Sequence, residues 1–220
     1  MIDLWTEKYR PKTVADYVFT DESQRRQVDA WVRDKTIPHI LLSGSPGTGK
    51  TTLACLLPDL IEVSRGGSTA HYDFYQCAQG MNGVSLMNKI TARTSVISFN
   101  QSGLHYSILD EVDNLTEAAQ ASLKAIMDCR HGVFILTTNN INQIDKGIVN
   151  RCYVAHMLVA RPQDWLPLVK RVISSTGSVC PPDASLIPVI ASCNGSGREI
   201  LTAAIQISNQ AITSAGGNNA

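Results

Sequence analysis

The run Gly44-Ser-Pro-Gly-Thr-Gly49-Lys50-Thr51 matches the pattern G-x-x-x-x-G-K-[ST] at every fixed position. Glycines let such a loop wrap closely enough for backbone N–H groups to point at phosphate oxygens. Lys50 would set its ammonium against the β and γ oxygens of a nucleoside triphosphate, and the Thr51 hydroxyl would ligate Mg²⁺. Ser45, Pro46, Gly47, Thr48, Gly49 and Thr52 complete the cradle. Further along, Ile108-Leu109-Asp110-Glu111 places two acids after an apolar run. Asp110 would hold the metal directly or through water, and Glu111, one residue on, would polarise an attacking water. Two acids there would also fit a solvated strand end; the loop upstream favours the chemical reading. Asp113 adds a further acid, read as structural. Thr137-Thr-Asn139-Asn140 closes another apolar run. Ligands of open parallel sheets sit beyond the carboxyl ends of strands, so Asn139 could orient water or sense a γ-phosphate, the alternative being an Asn-rich turn. The ligands expected from these motifs are ATP and Mg²⁺.

These residues need a frame to hold them. Asp21 to Lys35 has helical spacing (Val28, Trp31, Val32) with Asp21 as a candidate N-cap. Ile37-Pro-His-Ile-Leu-Leu42 reads as a buried strand feeding the phosphate loop, and a helix follows from Lys50 to about Leu57, stopped near Pro58. Strand signals recur at 69–75, 106–109 and 133–137, with helical patterns at 84–91 and 117–127 between them. Strands alternating with helices predict an α/β fold with a parallel sheet covered on both faces, and double coverage explains why 107–109 and 133–136 show no polar alternation. After Val159 come three helical stretches, 162–175, 183–193 and 198–214, with no strand signal: a small all-α domain hinged near Ala160-Arg-Pro162. The expected domains are therefore 1–159, 160–213 and a frayed tail at 214–220.

Composition narrows the partners. With 220 residues, 44% hydrophobic and 17% charged, the chain can bury a sizeable core. Lys plus Arg equals Asp plus Glu, 19 against 19, which speaks against strong solitary binding of nucleic acid. Six cysteines, at 55, 77, 129, 152, 180 and 193, show no C-x-x-C spacing and read as free thiols of a reducing compartment, Cys152 lying next to a strand. The absence of a long apolar run, with residues 1–10 too polar for a signal peptide, predicts no membrane partner and a cytoplasmic protein, in the host cytoplasm if the source is a virus.

Together with Trp5-Thr-Glu-Lys-Tyr-Arg-Pro-Lys12, the segments 37–42, 44–51, Leu109–Gln120, Phe134–Asn140 and Val149-Asn-Arg-Cys152 resemble the AAA+ sliding-clamp-loader ATPases of the replication factor C small-subunit and T4-like phage type. The likeness spans about residues 1–212. It implies a P-loop NTPase core with a five-stranded parallel sheet, helices on both faces, and a helical lid. It implies Mg-dependent, assembly-stimulated ATP hydrolysis in a ring or spiral of like subunits. ATP binding would grip a sliding clamp and primer-template DNA, and hydrolysis would release them. Asn150-Arg151-Cys152 is similar to the family's Ser-Arg-Cys, so Arg151 is implied as an arginine finger acting on a neighbour's ATP. Gly195-Ser-Gly-Arg198 resembles the lid motif Gly-Asp-x-Arg, implying that Arg198 reaches the γ-phosphate. Tyr9, Arg10 and Pro11 are implied to lie near the adenine. Gln120 matches a polar position between the ATP site and the DNA-facing side, or is an exposed helix residue.

The sequence departs from that pattern at several points. Asn150 and Ser196 replace the motif Ser and Asp, the likeness stops at the lid without the family's helical collar, and Cys77-Ala-Gln-Gly-Met-Asn-Gly-Val84 lacks the charges of the DNA-facing segment, with Asn88 at a later Arg position. Lys89 and Arg93 remain nearby, and DNA contact is expected to be weak per subunit or moved to Lys124 or Arg130. A helicase loader or other remodelling ATPase, and a nucleotide-binding scaffold that never hydrolyses, are the alternatives.

Overall fold

Ile40, Leu41 and Leu42 have no exposed surface. A run with both faces buried can satisfy its backbone only by pairing on both sides, as the centre of a covered sheet requires. In the computed structural model, which describes residues 8–34, 38–78 and 83–216 with side chains through Asn209, this run is β1, His39–Ser43. The strand start at Ile37, the segment 5–7 and residues 79–82 of the segment 77–84 lie outside the described residues.

β1 is joined by β2 (Tyr72–Gln76), β3 (His105–Asp110), β4 (Gly132–Thr138) and β5 (Cys152–His156) in a five-stranded sheet of order β2-β3-β4-β1-β5. Every pairing is parallel. The register matters for chemistry: Ser43 pairs with Thr138, Leu109 with Leu136, and Gln76 with Asp110, so the carboxyl ends of four strands finish at one edge.

Helices cover the faces. Alternate strand residues point to opposite sides. Leu41, Leu109, Phe134 and Leu136 join a cluster with Leu86, Met87 and Ile90 of α3 (Gly83–Thr94) and Ala119 and Leu123 of α4 (Glu117–Ile126). α1 (Glu22–Arg33) buries Val28 and Trp31, and α2 (Lys50–Ser64) buries Leu53, Leu57 and Ile61 at helical spacing. α2 corrects the expected stop at Pro58: the helix runs through it. An interior proline costs about 3 kcal/mol, whereas burying Leu57 and Ile61 contributes roughly 1.5–3 kcal/mol each. Burial wins.

Between α3 and β3 the chain forms a loop whose apolar side chains face outward: Val96, Ile97 and Phe99 are 56%, 88% and 93% exposed. Its backbone is nonetheless held. Asn100 Nδ2 donates to the carbonyls of His71 (2.9 Å) and Leu104 (2.8 Å), and its Oδ1 accepts from His71 N–H at 2.7 Å. Glu62 of α2, only 1% exposed, accepts from the Ser102 N–H at 3.1 Å, the Ser102 hydroxyl, and the Tyr106 hydroxyl at 2.5 Å. Burial alone would raise the Glu62 pKa, but these donors hold it below the ordinary carboxylate value.

Contacts divide the chain into two units. The sheet unit holds residues 23–45 and 50–157; the helical unit holds the described residues up to 22, Pro46–Gly49, and those from Leu158 onward. The tip of the phosphate loop thus belongs to the helical unit, as does the N-terminal segment. α6 (Leu166–Ser175), α7 (Asp183–Ser192) and α8 (Gly197–Gly216) close around Val169, Val172, Ile173, Leu186, Ile190 and Ile200. α8 runs past Ser214, where a frayed tail is expected, while 217–220 lie outside the described residues. No helix among the described residues is long and apolar enough to cross a membrane.

Candidate nucleotide site

Ser43 ends β1 and Lys50 opens α2, so the phosphate loop is a strand-to-helix turn. Two of its glycines sit at positive φ, Gly47 at 83° and Gly49 at 84°, a region L side chains enter only with strain. Lys50 is 7% exposed, and its Nζ donates to the carbonyls of Gly44 and Ser45, each at 2.8 Å. Burial lowers its pKa from the ordinary lysine value, and Asp110, Asp113 and Glu111 oppose that shift. An ammonium kept out of water and held by carbonyl dipoles is a charge ready for an anion.

In the sheet unit the expected acids meet the loop's outgoing helix. Thr51 Oγ1 donates to Asp110 Oδ1 at 2.6 Å, and Thr137 Oγ1 donates to the same oxygen at 2.7 Å. Asp110 is 5% exposed, and both of these bonds go to Oδ1, so that neither occupies Oδ2. A carboxylate beside a hydroxyl is an all-oxygen donor set of the kind a hard divalent ion prefers. The residues fit Mg²⁺.

Glu111 adopts a left-handed conformation, φ 59° and ψ 52°. Such a conformation costs a non-glycine residue on the order of 1–3 kcal/mol and persists where the surroundings over-determine it. Here its N–H donates to Thr137 Oγ1 at 2.9 Å, and Oε2 accepts from Gln76 Nε2 at 3.1 Å and Asn114 Nδ2 at 3.4 Å. Thr52, half-buried, follows Thr51 on α2, and Asn139 is exposed just past β4, its N–H donating to Asp113 Oδ1 at 3.3 Å. Asp113 thereby ties two strand ends together.

The helical unit gathers the loop tip. Gly197 N–H, at the start of α8, donates to Gly47 O at 3.0 Å, and a Cβ on Gly47 would lie 2.8 Å from Ser196 Oγ. Arg198, next in sequence, is exposed. Pro46 is exposed and Thr48 half-buried. The Tyr17 hydroxyl lies 3.4 Å from the carbonyls of both Thr48 and Gly49, and burial raises its pKa well above the ordinary phenol value. Tyr17 is the aromatic residue that supports the loop, and sequence reasoning missed it; the trace it leaves is an apolar triplet, Tyr17-Val18-Phe19, between polar stretches. Tyr9 lies in the helical unit. Its ring is buried in the helical core and its hydroxyl bonds Ser175, while Arg10 and Pro11 are half-buried.

Arg151 follows α5 (Lys146–Val149) and is held by Asp128, with Nε to Oδ1 at 2.9 Å and Nη2 to Oδ2 at 3.1 Å. Gln120 is buried rather than exposed. Its amide donates to the carbonyls of Leu115 (3.3 Å) and Gln143 (3.1 Å), and its Oε1 accepts from Asp145 N–H at 2.7 Å. Of the cations considered for DNA, Arg93 pairs with Asp73 at 3.1 Å and Lys124 with Asp145 at 3.1 Å, while Lys89 and Arg130 are exposed.

A parallel sheet delivering a buried lysine, a threonine hydroxyl and an aspartate to one edge defines a P-loop nucleotide-binding domain. Residues 40–158 match the ATPase family associated with various cellular activities (AAA), and the chain belongs to that family. It is similar to the replication factor C small subunit of Staphylothermus marinus, 34% identical over 173 residues, covering 76% of this chain and 50% of that protein. It is similar also to the replication factor C small subunit of Archaeoglobus fulgidus, 38% identical over 164 residues, covering 69% and 47%. The chain spans about half the length of these relatives. Among solved structures, the Thermotoga maritima RuvB Holliday junction branch migration motor shares the fold, with a TM-score of 0.71 at 18% identity, covering 91% of this chain and 65% of that one.

Proposed function

We propose that this protein is an Mg-dependent ATPase subunit of a DNA clamp loader, working beside copies of itself or related AAA+ subunits in the cytoplasm. The observation that carries the reading is the convergence of Lys50, Thr51 and Thr137 on the phosphate loop and Asp110. The likeness to replication factor C small subunits supports the choice of client.

In this reading Lys50 exchanges its two carbonyl partners for β and γ phosphate oxygens, and Gly47, Thr48 and Gly49 offer backbone N–H groups. Asp110 and Thr51 would hold Mg²⁺, which when bound draws negative charge off the phosphate oxygens. Glu111 accepts the proton of the attacking water, and Asn139 helps orient that water. Arg198 contacts the γ-phosphate from the lid. Tyr9, Arg10 and Pro11 shape the adenine surroundings from the side, with Tyr17 beneath the loop. Arg151 serves the site of an adjacent subunit, so hydrolysis waits on assembly.

The loop carrying Val96, Ile97 and Phe99 gives a protein client an apolar surface to cover. DNA contact is weak per subunit, because two of the candidate cations are already paired with aspartates. The deciding experiment measures phosphate release at high protein concentration with and without primed DNA, alongside capture of the clamp or the helicase from the same genome. Stimulation by primed DNA with clamp capture, lost in the I97S/F99S double variant, supports the reading. Capture of the helicase instead assigns a helicase loader, and no release under any assembly condition assigns a non-hydrolysing scaffold.

A further inference from the structure

A guanidinium has five N–H donors. In Arg151, Asp128 takes the one on Nε (2.9 Å) and one on Nη2 (3.1 Å), and the Gly147 carbonyl takes one on Nη1 (3.0 Å). Among the described residues one donor on each terminal nitrogen is left over, on a side chain that is 36% exposed.

Both groups that hold Arg151 are themselves fixed. Asp128 follows Met127, whose N–H closes onto Leu123 O at 3.0 Å and whose carbonyl bonds His39 Nε2 at 2.8 Å. His39 Nδ1 accepts from Phe134 N–H at 3.2 Å, which assigns the ring proton to Nε2 and makes that nitrogen the donor to Met127. The base of Asp128 is thus pinned to two strands of the sheet. Gly147 N–H donates to Asp145 Oδ1 at 2.7 Å, and a Cβ at Gly147 would run into the Lys124 side chain and lie 2.8 Å from Asp145 Oδ1.

We propose that Asp128 is a positioning residue for Arg151, its carboxylate fixing the guanidinium so that the two remaining donors are presented together to a phosphoryl oxygen in the site of a neighbouring copy. This rests on the reading of Arg151 as a residue acting in trans. The pair could instead be a lock that hides Arg151, but the observations favour orientation. Asp128 is 63% exposed, and an ion pair in water is too weak to hold an arginine away from a triphosphate. Orientation needs only geometry, and a bidentate carboxylate gives a planar cation one orientation. When an adjacent subunit excludes water from the pair, its hold strengthens at the moment it is used.

The test compares full-length wild type, Asp128→Asn, Asp128→Glu, Arg151→Ala and the Asp128→Asn/Arg151→Ala double variant. Turnover at saturating Mg·ATP is measured where specific rate no longer rises with protein concentration, with nucleotide affinity and sedimentation recorded for each. Misplacing a catalytic contact by about 1 Å can cost up to about a hundredfold. Asp128→Asn is therefore expected to lower kcat about ten- to a hundredfold with KM, nucleotide affinity and sedimentation unchanged. Asp128→Glu restores part of the loss, and the double variant is no slower than Arg151→Ala alone. Wild-type or faster turnover in Asp128→Asn overturns the positioning role, faster turnover marking a lock. A further drop in the double variant overturns it as well, since Asp128 would then act apart from Arg151. Full turnover in Arg151→Ala is a separate outcome and removes the in-trans reading itself.

Discussion

The hydroxyl of Thr51 donates to Asp110 Oδ1 at 2.6 Å, joining the first turn after the phosphate loop to the end of β3 across 59 positions of sequence. A hydroxyl has one proton and two lone pairs. Thr51 can therefore keep this bond and still offer an oxygen to a cation, and the bond does not occupy Asp110 Oδ2.

Thr51→Ala is expected to weaken the Mg²⁺ dependence of nucleotide binding by about ten- to a hundredfold, as loss of a ligand or its oriented neighbour does. Thr51→Ser stays near wild type. Titrating a fluorescent ATP analogue across Mg²⁺ concentrations checks this, and equal Mg²⁺ curves for Thr51→Ala and wild type would exclude the metal role.

Glu111→Gln keeps the side chain's size and its capacity to accept from Gln76 and Asn114, and removes the basicity. Turnover should fall by about 10²–10⁴ while Mg·ATP affinity is retained, giving a stable ATP-bound species. Phosphate release and equilibrium binding on one preparation distinguish this from a folding defect.

Gly49→Ala places a methyl at φ 84° and 2.8 Å from the Tyr17 hydroxyl. The conformation alone costs about 1–2 kcal/mol, and Tyr17, 8% exposed, has little room to yield. Nucleotide affinity should drop with a measurable loss in denaturant midpoint. Combining it with Tyr17→Phe, which removes the clashing oxygen, should recover part of that loss; no recovery would show that Tyr17 does not support the loop.

His39 gives a pH prediction. Burial lowers its pKa from the ordinary 6.5, with the Met127 carbonyl and Asp128 acting against that shift. The folded protein therefore keeps the ring neutral while the unfolded chain takes up a proton. The stability this contributes is complete above 6.5 and declines as pH falls from there through the lower folded value. Unfolding free energy measured from pH 7.5 downward should show this slope in wild type and a shallower one in His39→Gln. Identical slopes would mean the ring does not titrate as argued.

Much of this was legible in the residues. The loop, Asp110 and Glu111 follow a motif whose spacing is set by the dimensions of a phosphate and a strand end, so the sheet had to bring them to one edge. Pro58 misled because a local rule about donors was weighed without the burial of Leu57 and Ile61. Tyr9 and Tyr17 show another limit: each is an aromatic in a polar N-terminal stretch, and which one lies under the loop depends on the path of the chain rather than on either residue. Gln120 and Asp128 are polar residues on one helix and just beyond it, and their partners, Asp145 and Arg151, are 25 and 23 positions away. Nothing in the local pattern reveals such pairs.

The tether between Glu62 and the turn at Ser102 bears on how this protein meets others. Ordinarily a loop that recognises a partner must surrender its freedom on binding, which slows or weakens association. On the function proposed above, the turn next to Ile97 and Phe99 is already ordered by folding, so that less freedom is left for a client to take away. Loosening that turn from beneath, as in Glu62→Ala, would leave every surface side chain in place yet make recognition slower, a defect in readiness rather than in fit.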